Sequence, residues 1–248
     1  MIKIKSPEEI KLMRQSGKIL AEILKKLVRF VRAGMSTKLV EKEAERMMQE
    51  KKVIPAFKGY YGYPASLCIS LNEELIHGIP REDKIIKGGD LISIDFGVKY
   101  EGYCSDMAYT FAIGKIDKTQ RHLLAVGKEA LRRAIKRVRE GAFLGDVGFS
   151  IQEFVKKEGF FVVKDFVGHG IGKDLHEEPE VPNFGREGEG VCLRRGMTLA
   201  IEPMITQETE EVKIKEDGWT VVSASGKPCV HFEHTVAVTK RGCLILTN

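Results

Sequence analysis

The chain carries a repeat. Sliding its 248 residues against themselves by 107 positions pairs Ile19 with Val126, Leu24 with Leu131, Val28 with Ile135, Val31 with Val138, Arg32 with Arg139 and Gly34 with Gly141. The same shift pairs Gly89 with Gly196, Ser93 with Ala200, Ile94 with Ile201, and Asp95 with Glu202. One unbroken offset that joins a helix, a glycine and a strand carboxylate predicts a duplicated fold, because each copy must bury the same apolar faces in the same order.

Local signals agree with two copies. Ser6-Pro7-Glu8-Glu9 offers a cap, a proline suited to the first turn and the acid of a capping box, and Ile10, Met13, Leu20, Leu24, Leu27 and Val31 follow at helical spacing before Gly34. A second helix opens near Ser36-Thr37 and runs toward Lys51, and strands follow around 66–71, 91–97 and 104–113. The order then recurs: a helix over 119–140 ending before Gly141, a helix opening at Asp146, and strands near 160–165, 197–203 and 230–239. The expected fold is α+β, one domain over residues 1–248 with halves of about 6–113 and 114–239. Each half reads helix, helix, strands. Two such halves would form one curved, mostly antiparallel sheet with helices on its outer face and a cleft between the halves.

Composition excludes several classes. A hydrophobic fraction of 43% beside 30% charged residues belongs to an ordinary globular chain. The charged start MIKIKSPEEI lacks a signal-peptide core, and no apolar run approaches the ~20 residues of a membrane span, so a cytoplasmic protein with no membrane partner is expected. Five scattered cysteines with no CxxC pair suggest neither a disulfide framework nor a thiolate zinc site. A net charge of +5 is mild and implies no specific nucleic-acid partner. The glycine stretches GHGIG and GREGEG fit neither GxxxxGK[ST] nor GxGxxG at a helix start, and no GxSxG occurs.

The chemistry lies in the carboxylates. Strand alternation puts Asp95 on a face with Leu91 and Ser93, and Glu202 on a face with Thr198 and Ala200. Asp106 shares its face with Cys104, Ala108 and Thr110, and Glu233 with His231, Thr235 and Ala237. Any one acid alone reads as a solvated strand residue. Four acids on one surface of small residues repel by ~1–4 kcal/mol per pair at close range and cannot all stay ionised without cations. Two divalent ions balance four carboxylates, and oxygen-rich ligation with one imidazole suits Mn, Fe, Co or Zn. Among six histidines, His169 in Gly168-His169-Gly170 is the best ligand, since flanking glycines permit close backbone approach. His77 and His176 lie in loop-like stretches, His122 reads as a surface residue, and His231 and His234 read as supporting or packing residues beside Glu233.

These residues sit inside longer motifs: YxGYPxSxCISxNEExxHGIP from Tyr60 to Pro80, IDFGxxxxGxxxD from Ile94 to Asp106, GHGIGxxxHEEP from Gly168 to Pro179, IEPM from Ile201 to Met204 and FEHT from Phe232 to Thr235. Over essentially its full length the chain resembles the type I methionine aminopeptidases, whose fold is the pita bread. The resemblance implies Asp95 as a chelating ligand of one metal, Asp106 and Glu233 as bridging ligands, and His169 and Glu202 as ligands of the other. It implies that His77 and His176 contact substrate, that Glu202 is the acid/base, and that a metal-bridging hydroxide attacks the scissile carbonyl. Phe57, Tyr60, Tyr63, Cys68, His77, Leu175 and Trp219 would form the methionine pocket.

The family implies a peptide or nascent-chain N-terminus as substrate, preference for a small second residue, and a monomer; transient ribosome contact would suit such an enzyme. The 31 positions from Glu202 to Glu233 leave no room for the helical insertion of the type II class, and the short lead before the first helix leads us to expect no extra N-terminal domain. A proline-specific aminopeptidase or dipeptidase on the same scaffold, or a binding module that has lost its metals, are the alternatives; the Asn72 to Pro80 motif speaks against the first and five intact ligands against the second.

Overall fold

The computed structural model describes residues 1–248. In chain order the elements are α1 (Pro7–Phe30), α2 (Thr37–Glu50), β1 (Ile54–Pro55), β2 (Cys68–Leu71), β3 (Glu74–Ile76), β4 (Leu91–Tyr100), β5 (Tyr103–Ala112), α3 (Lys118–Arg137) and α4 (Leu144–Lys157). There follow β6 (Phe161–Val162), β7 (Gly168–Gly170), β8 (Glu177–Val181), β9 (Thr198–Ile201), β10 (Met204–Thr206), β11 (Val212–Ile214), β12 (Val221–Ser223), β13 (Cys229–His231), β14 (His234–Thr239) and β15 (Gly242–Ile245). Adding 107 to Phe30, Thr37, Glu50, Ile54 and Leu91 gives Arg137, Leu144, Lys157, Phe161 and Thr198, so the same boundaries recur in both halves.

The helix ends follow from local chemistry. Ser6 caps α1 in a capping box with Glu9, and the chain turns extended at Val31. In α3 the equivalent parts are Asp117, Gln120 and Val138. The fourth helix begins at Leu144, two residues before the expected start, because Asp146 is its third residue and accepts a hydrogen bond from Phe143 N at 2.8 Å. The third helix stops at Arg137, short of the expected 140, as Val138 leaves helical geometry.

All strand pairs are antiparallel. Their ladders divide the curved layer into four hydrogen-bonded sheets. β1, β2 and β5 flank β4 in the first half, while β15-β14-β9-β7-β8 and β13-β10-β6 serve the second, and β11-β12-β3 bridges the two. The expected strands over 197–203 and 230–239 are each interrupted. Pro203 has no N–H to donate, and Glu233 sends its N–H across to Ala108 O on β5 at 2.9 Å. The register on either side is unbroken, Ile201 facing His234 and Met204 facing His231, so Glu202 and Glu233 occupy the same level of the gap.

Each half packs its own core. Leu20, Leu24, Val40 and Ala44 of the first two helices bury against Ile92, Ile94 and Phe96, and Leu123, Ala130, Val147 and Ile151 bury against Leu199, Ile201 and Val236. The side chains at these positions alternate with residues directed away from the helices, and those line the space between the halves.

Candidate metal centre and adjoining pocket

The β4 and β5 ladder sets Asp95 opposite Ala108 and Asp106 opposite Gly97, which places both acids on the face turned away from the helices. Cys68 lies directly opposite Asp95 on β2. From the second half, Glu202 and Glu233 enter at the gap just described. His169 is held on β7 opposite Ala200. A Cβ at Gly168 would stand 2.4 Å from Ala200 O and one at Gly170 would meet the Glu178 carbonyl, so the glycines on either side of His169 are what let β7 lie so close between β8 and β9. The His169 Nδ1 pairs with Gly170 O at 2.9 Å, leaving Nε2 to face the acids.

Nε2 of His169 lies 3.6 Å from Glu202 Oε1 and 4.0 Å from Asp106 Oδ2. Asp106, His169 and Glu233 offer ligand atoms that all lie within 4.8 Å of one another. Asp95 Oδ1 and Glu233 Oε1 are buried with no hydrogen-bond partner. Burial, with Asp106 and Glu202 close by, pushes the Asp95 carboxyl well up, and the same two causes act on Glu233. Burial, joined by the Glu202 charge, raises Asp106 to about 8, and burial raises Glu202 to about 8. Burial lowers His169 to about 3. Orphaned carboxylate oxygens and a neutral imidazole are the donor set that divalent cations satisfy, so the residues fit a metal centre.

A cavity of about 220 Å³ opens onto these acids. Its walls carry all eight remaining residues expected from the sequence, Phe57, Tyr60, Tyr63, Cys68, His77, Leu175, His176 and Trp219. Tertiary pairing assembles them. Trp219 sits in the β11–β12 hairpin, and β12 pairs with β3 so that Val221 faces Ile76, bringing Trp219 beside His77 with ring centres 6.4 Å apart. The Trp219 ring meets Tyr63 edge-on at 5.1 Å. His176 packs on His169 at 4.1 Å and on Tyr60 at 5.0 Å. Burial lowers His176 and, with repulsion from His231 and His176, lowers His77 to about 4.

Sequence reasoning missed Tyr61. It also lines the cavity, is 86% exposed and holds a φ of 48°, a left-handed conformation unusual outside glycine. The only sequence signal was its position in Tyr60-Tyr61-Gly62-Tyr63, between glycine-rich turns. The hairpin that carries Trp219 has a sequence trace as well. Asp95 and Glu202 are 107 apart, whereas Asp106 and Glu233 are 127 apart, so about 20 residues are added in the second half where β11 and β12 lie.

Comparison with known proteins agrees with this geometry. Metallopeptidase family M24 matches residues 11–240. The chain is 47% identical to the methionine aminopeptidase of Clostridium acetobutylicum, covering 100% of this chain and 99% of that one, and 44% identical to methionine aminopeptidase 1 of Bacillus subtilis, covering 100% of both. The crystal structure of methionine aminopeptidase from Thermotoga maritima superposes on all of it with a TM-score of 0.98 at 45% identity and 100% coverage of both chains. The α+β pita-bread fold is therefore shared. With a candidate metal centre between two related halves, an apolar cavity beside it and full-length similarity of this degree, the chain belongs to metallopeptidase family M24, among the methionine aminopeptidases.

Proposed function

We propose that this enzyme hydrolyses the first peptide bond of chains that begin with methionine, releasing the initiator methionine, and that it prefers a small second residue. One observation carries the reading: a group of four acids and an imidazole, of which Asp95, Asp106 and Glu233 are buried, opens directly onto a cavity walled by Phe57, Tyr63, Leu175 and Trp219. An unbranched thioether side chain suits such an apolar, aromatic-lined space.

In this reading Asp95, Asp106, His169, Glu202 and Glu233 hold two divalent ions, drawn from Mn, Fe, Co or Zn. When bound, such a pair supplies charge for the scissile carbonyl oxygen and lowers the pKa of water. The chain's own residues do the rest. Phe57, Tyr60, Tyr63, Cys68, Leu175 and Trp219 take the methionine side chain and exclude water. His77 and His176 stay neutral through burial and offer hydrogen bonds to the peptide group beside the acids. Glu202, which faces His169 at the edge of the cavity, is the residue placed to take a proton and pass it to the leaving amine.

The chain acts as a single catalytic domain built by duplication, monomeric and cytoplasmic, and meets its substrates at the ribosome. No helix is long and apolar enough to cross a membrane. Sedimentation with and without ribosomes at low salt tests the last part. The central test is release of free methionine from Met-Ala-Ser and Met-Leu-Ser by metal-stripped protein, before and after adding Mn. Release that needs metal and favours Met-Ala-Ser supports the reading. Cleavage of an Xaa-Pro peptide with Met-Ala-Ser untouched would replace it with the proline-specific alternative.

A further inference from the structure

His231 ends β13 and is 1% exposed, yet neither of its ring nitrogens has a hydrogen-bond partner. Buried polar groups in native proteins are nearly always paired, and an unpaired one calls for a reason. An apolar side chain of similar size would fill the same space without that deficit. The ring cannot withdraw, because Thr110 Oγ1 donates to His231 O at 2.7 Å and accepts from His231 N at 2.9 Å. What the ring faces is Glu202: Nε2 lies 3.2 Å from Oε2, while the other carboxylate oxygen, Oε1, faces His169 Nε2 at 3.6 Å.

Glu202 itself lies just past the end of β9, in the gap made by Pro203, where no ladder steadies it. Its main chain is tied by Asn183 Nδ2, which donates to Glu202 O at 3.0 Å, and imidazoles stand beside both carboxylate oxygens, His169 at Oε1 and His231 at Oε2. A carboxylate that relays a proton must keep one oxygen aimed at the reacting atoms, and a swing of about 1 Å is enough to cost much of the rate. We infer that His231 is a positioning residue, its Nε2 set against Glu202 Oε2 so that Oε1 stays turned toward His169 and the substrate. This deepens, and rests on, the reading of Glu202 as the proton relay in methionine release.

The test uses His231→Leu and His231→Gln in the full chain, with three measurements: kcat and KM on Met-Ala-Ser with Mn, Mn affinity by calorimetry, and melting of the metal-stripped protein. His231→Leu is expected to lose about 10- to 100-fold in kcat with KM within about twofold, as supporting partners of a reactive carboxylate do. It should melt no lower than the parent when metal-free, since an orphaned polar group has been removed. His231→Gln, which keeps an N–H donor, should stay within about threefold of the parent in kcat and match its Mn affinity. A His231→Leu enzyme at parental kcat, a His231→Gln enzyme as slow as His231→Leu, or a lowered melting point in step with the lost rate would each overturn the inference. A parent enzyme that releases no methionine would overturn the functional reading and this inference together, whereas an active parent with an equally active His231→Leu overturns the inference alone.

Discussion

The Thr235 hydroxyl holds the main chain of Asp106 from both sides: it accepts from Asp106 N at 3.0 Å and donates to Asp106 O at 2.8 Å. Thr235 belongs to the second half and Asp106 to the first. Thr110 does the same in the opposite direction, gripping His231 N and O from the first half. With the Glu233 N–H bonded to Ala108 O, these contacts sew β5 to β13 and β14 along the line between the halves. The spacing of the acids is therefore a property of the joint and of neither half alone.

Thr235→Val keeps the shape of the side chain and removes both bonds. Two buried main-chain groups lose their partner, which should cost about 2–4 kcal/mol of stability. Thr235→Ser should recover most of it. Urea midpoints of the three proteins, read with Mn affinity, check this; a Thr235→Val protein of unchanged midpoint and unchanged affinity would show that the joint does not depend on the hydroxyl.

The acids also set how stability depends on pH when metal is stripped away. Asp95, Asp106, Glu202 and Glu233 all have carboxyl pKa values raised by burial above their unfolded values. A raised carboxyl favours the fold while it holds its proton, so that contribution is complete below about pH 4 and fades as pH climbs toward and through about 8. Metal-stripped protein should therefore lose melting temperature between pH 5 and about 8.5, and saturating Mn should restore it most at the upper end. Equal Mn-induced gains at both ends of that range would contradict the placement of the acids.

Lys5 and Glu177 form an ion pair at 2.5 Å whose side chains are 5% and 2% exposed. The same carboxylate accepts from Lys173 N at 3.1 Å, so it is the hub of the turn that presents Leu175 and His176 to the cavity. Lys5→Met leaves the buried Glu177 carboxylate with the half-exposed Lys3, at 3.3 Å, as its cationic partner, and a loss of about 2–3 kcal/mol is expected. Because the turn loosens with it, KM for Met-Ala-Ser should rise at temperatures where the variant is still folded. Thermal melting and steady-state kinetics at 15 °C separate the two effects.

Tyr61 stands at the cavity mouth with its ring edge-on to Tyr60 at 4.7 Å. An exposed aromatic in a strained conformation beside a binding site is suited to packing on the substrate beyond its second residue. Tyr61→Ala should raise KM for Met-Ala-Ser-Lys by about 2- to 10-fold and leave that for the dipeptide Met-Ala nearly unchanged. Parallel increases for both peptides would instead place Tyr61 against the methionine itself.

Much of this molecule is legible in its sequence because the signals are local. Ser6 with Glu9 and Asp117 with Gln120 define helix starts through contacts three residues apart. Alternation in Leu91 to Phe96 sorts core from cleft, and the glycines around His169 signal a close backbone approach, which the structure realises as a strand lying between two others. The 107-residue offset, visible in single residues, reappears in the element boundaries. The family resemblance implied Phe57, Cys68 and Trp219, which periodicity alone leaves among ordinary core residues.

Other features depended on contacts between residues far apart in the chain. Alternation treats 197–203 and 230–239 as unbroken strands, whereas Pro203 and the Glu233 bond to Ala108 open both, and the opening is where Glu202 meets His231. Nothing near Lys5 predicts Glu177, nothing near Thr110 predicts His231, and the exposure of Tyr61 follows from how its loop lies on the rim. The sequence by itself determined the repeat, the helix limits and which acids could gather; tertiary structure decided their spacing, which carboxylate oxygens are left without partners and which imidazole stands behind Glu202. The reason is range: capping and periodicity act over a few residues, while hydrogen bonds and charges in a buried cleft are set by elements that meet only after the two halves close on each other.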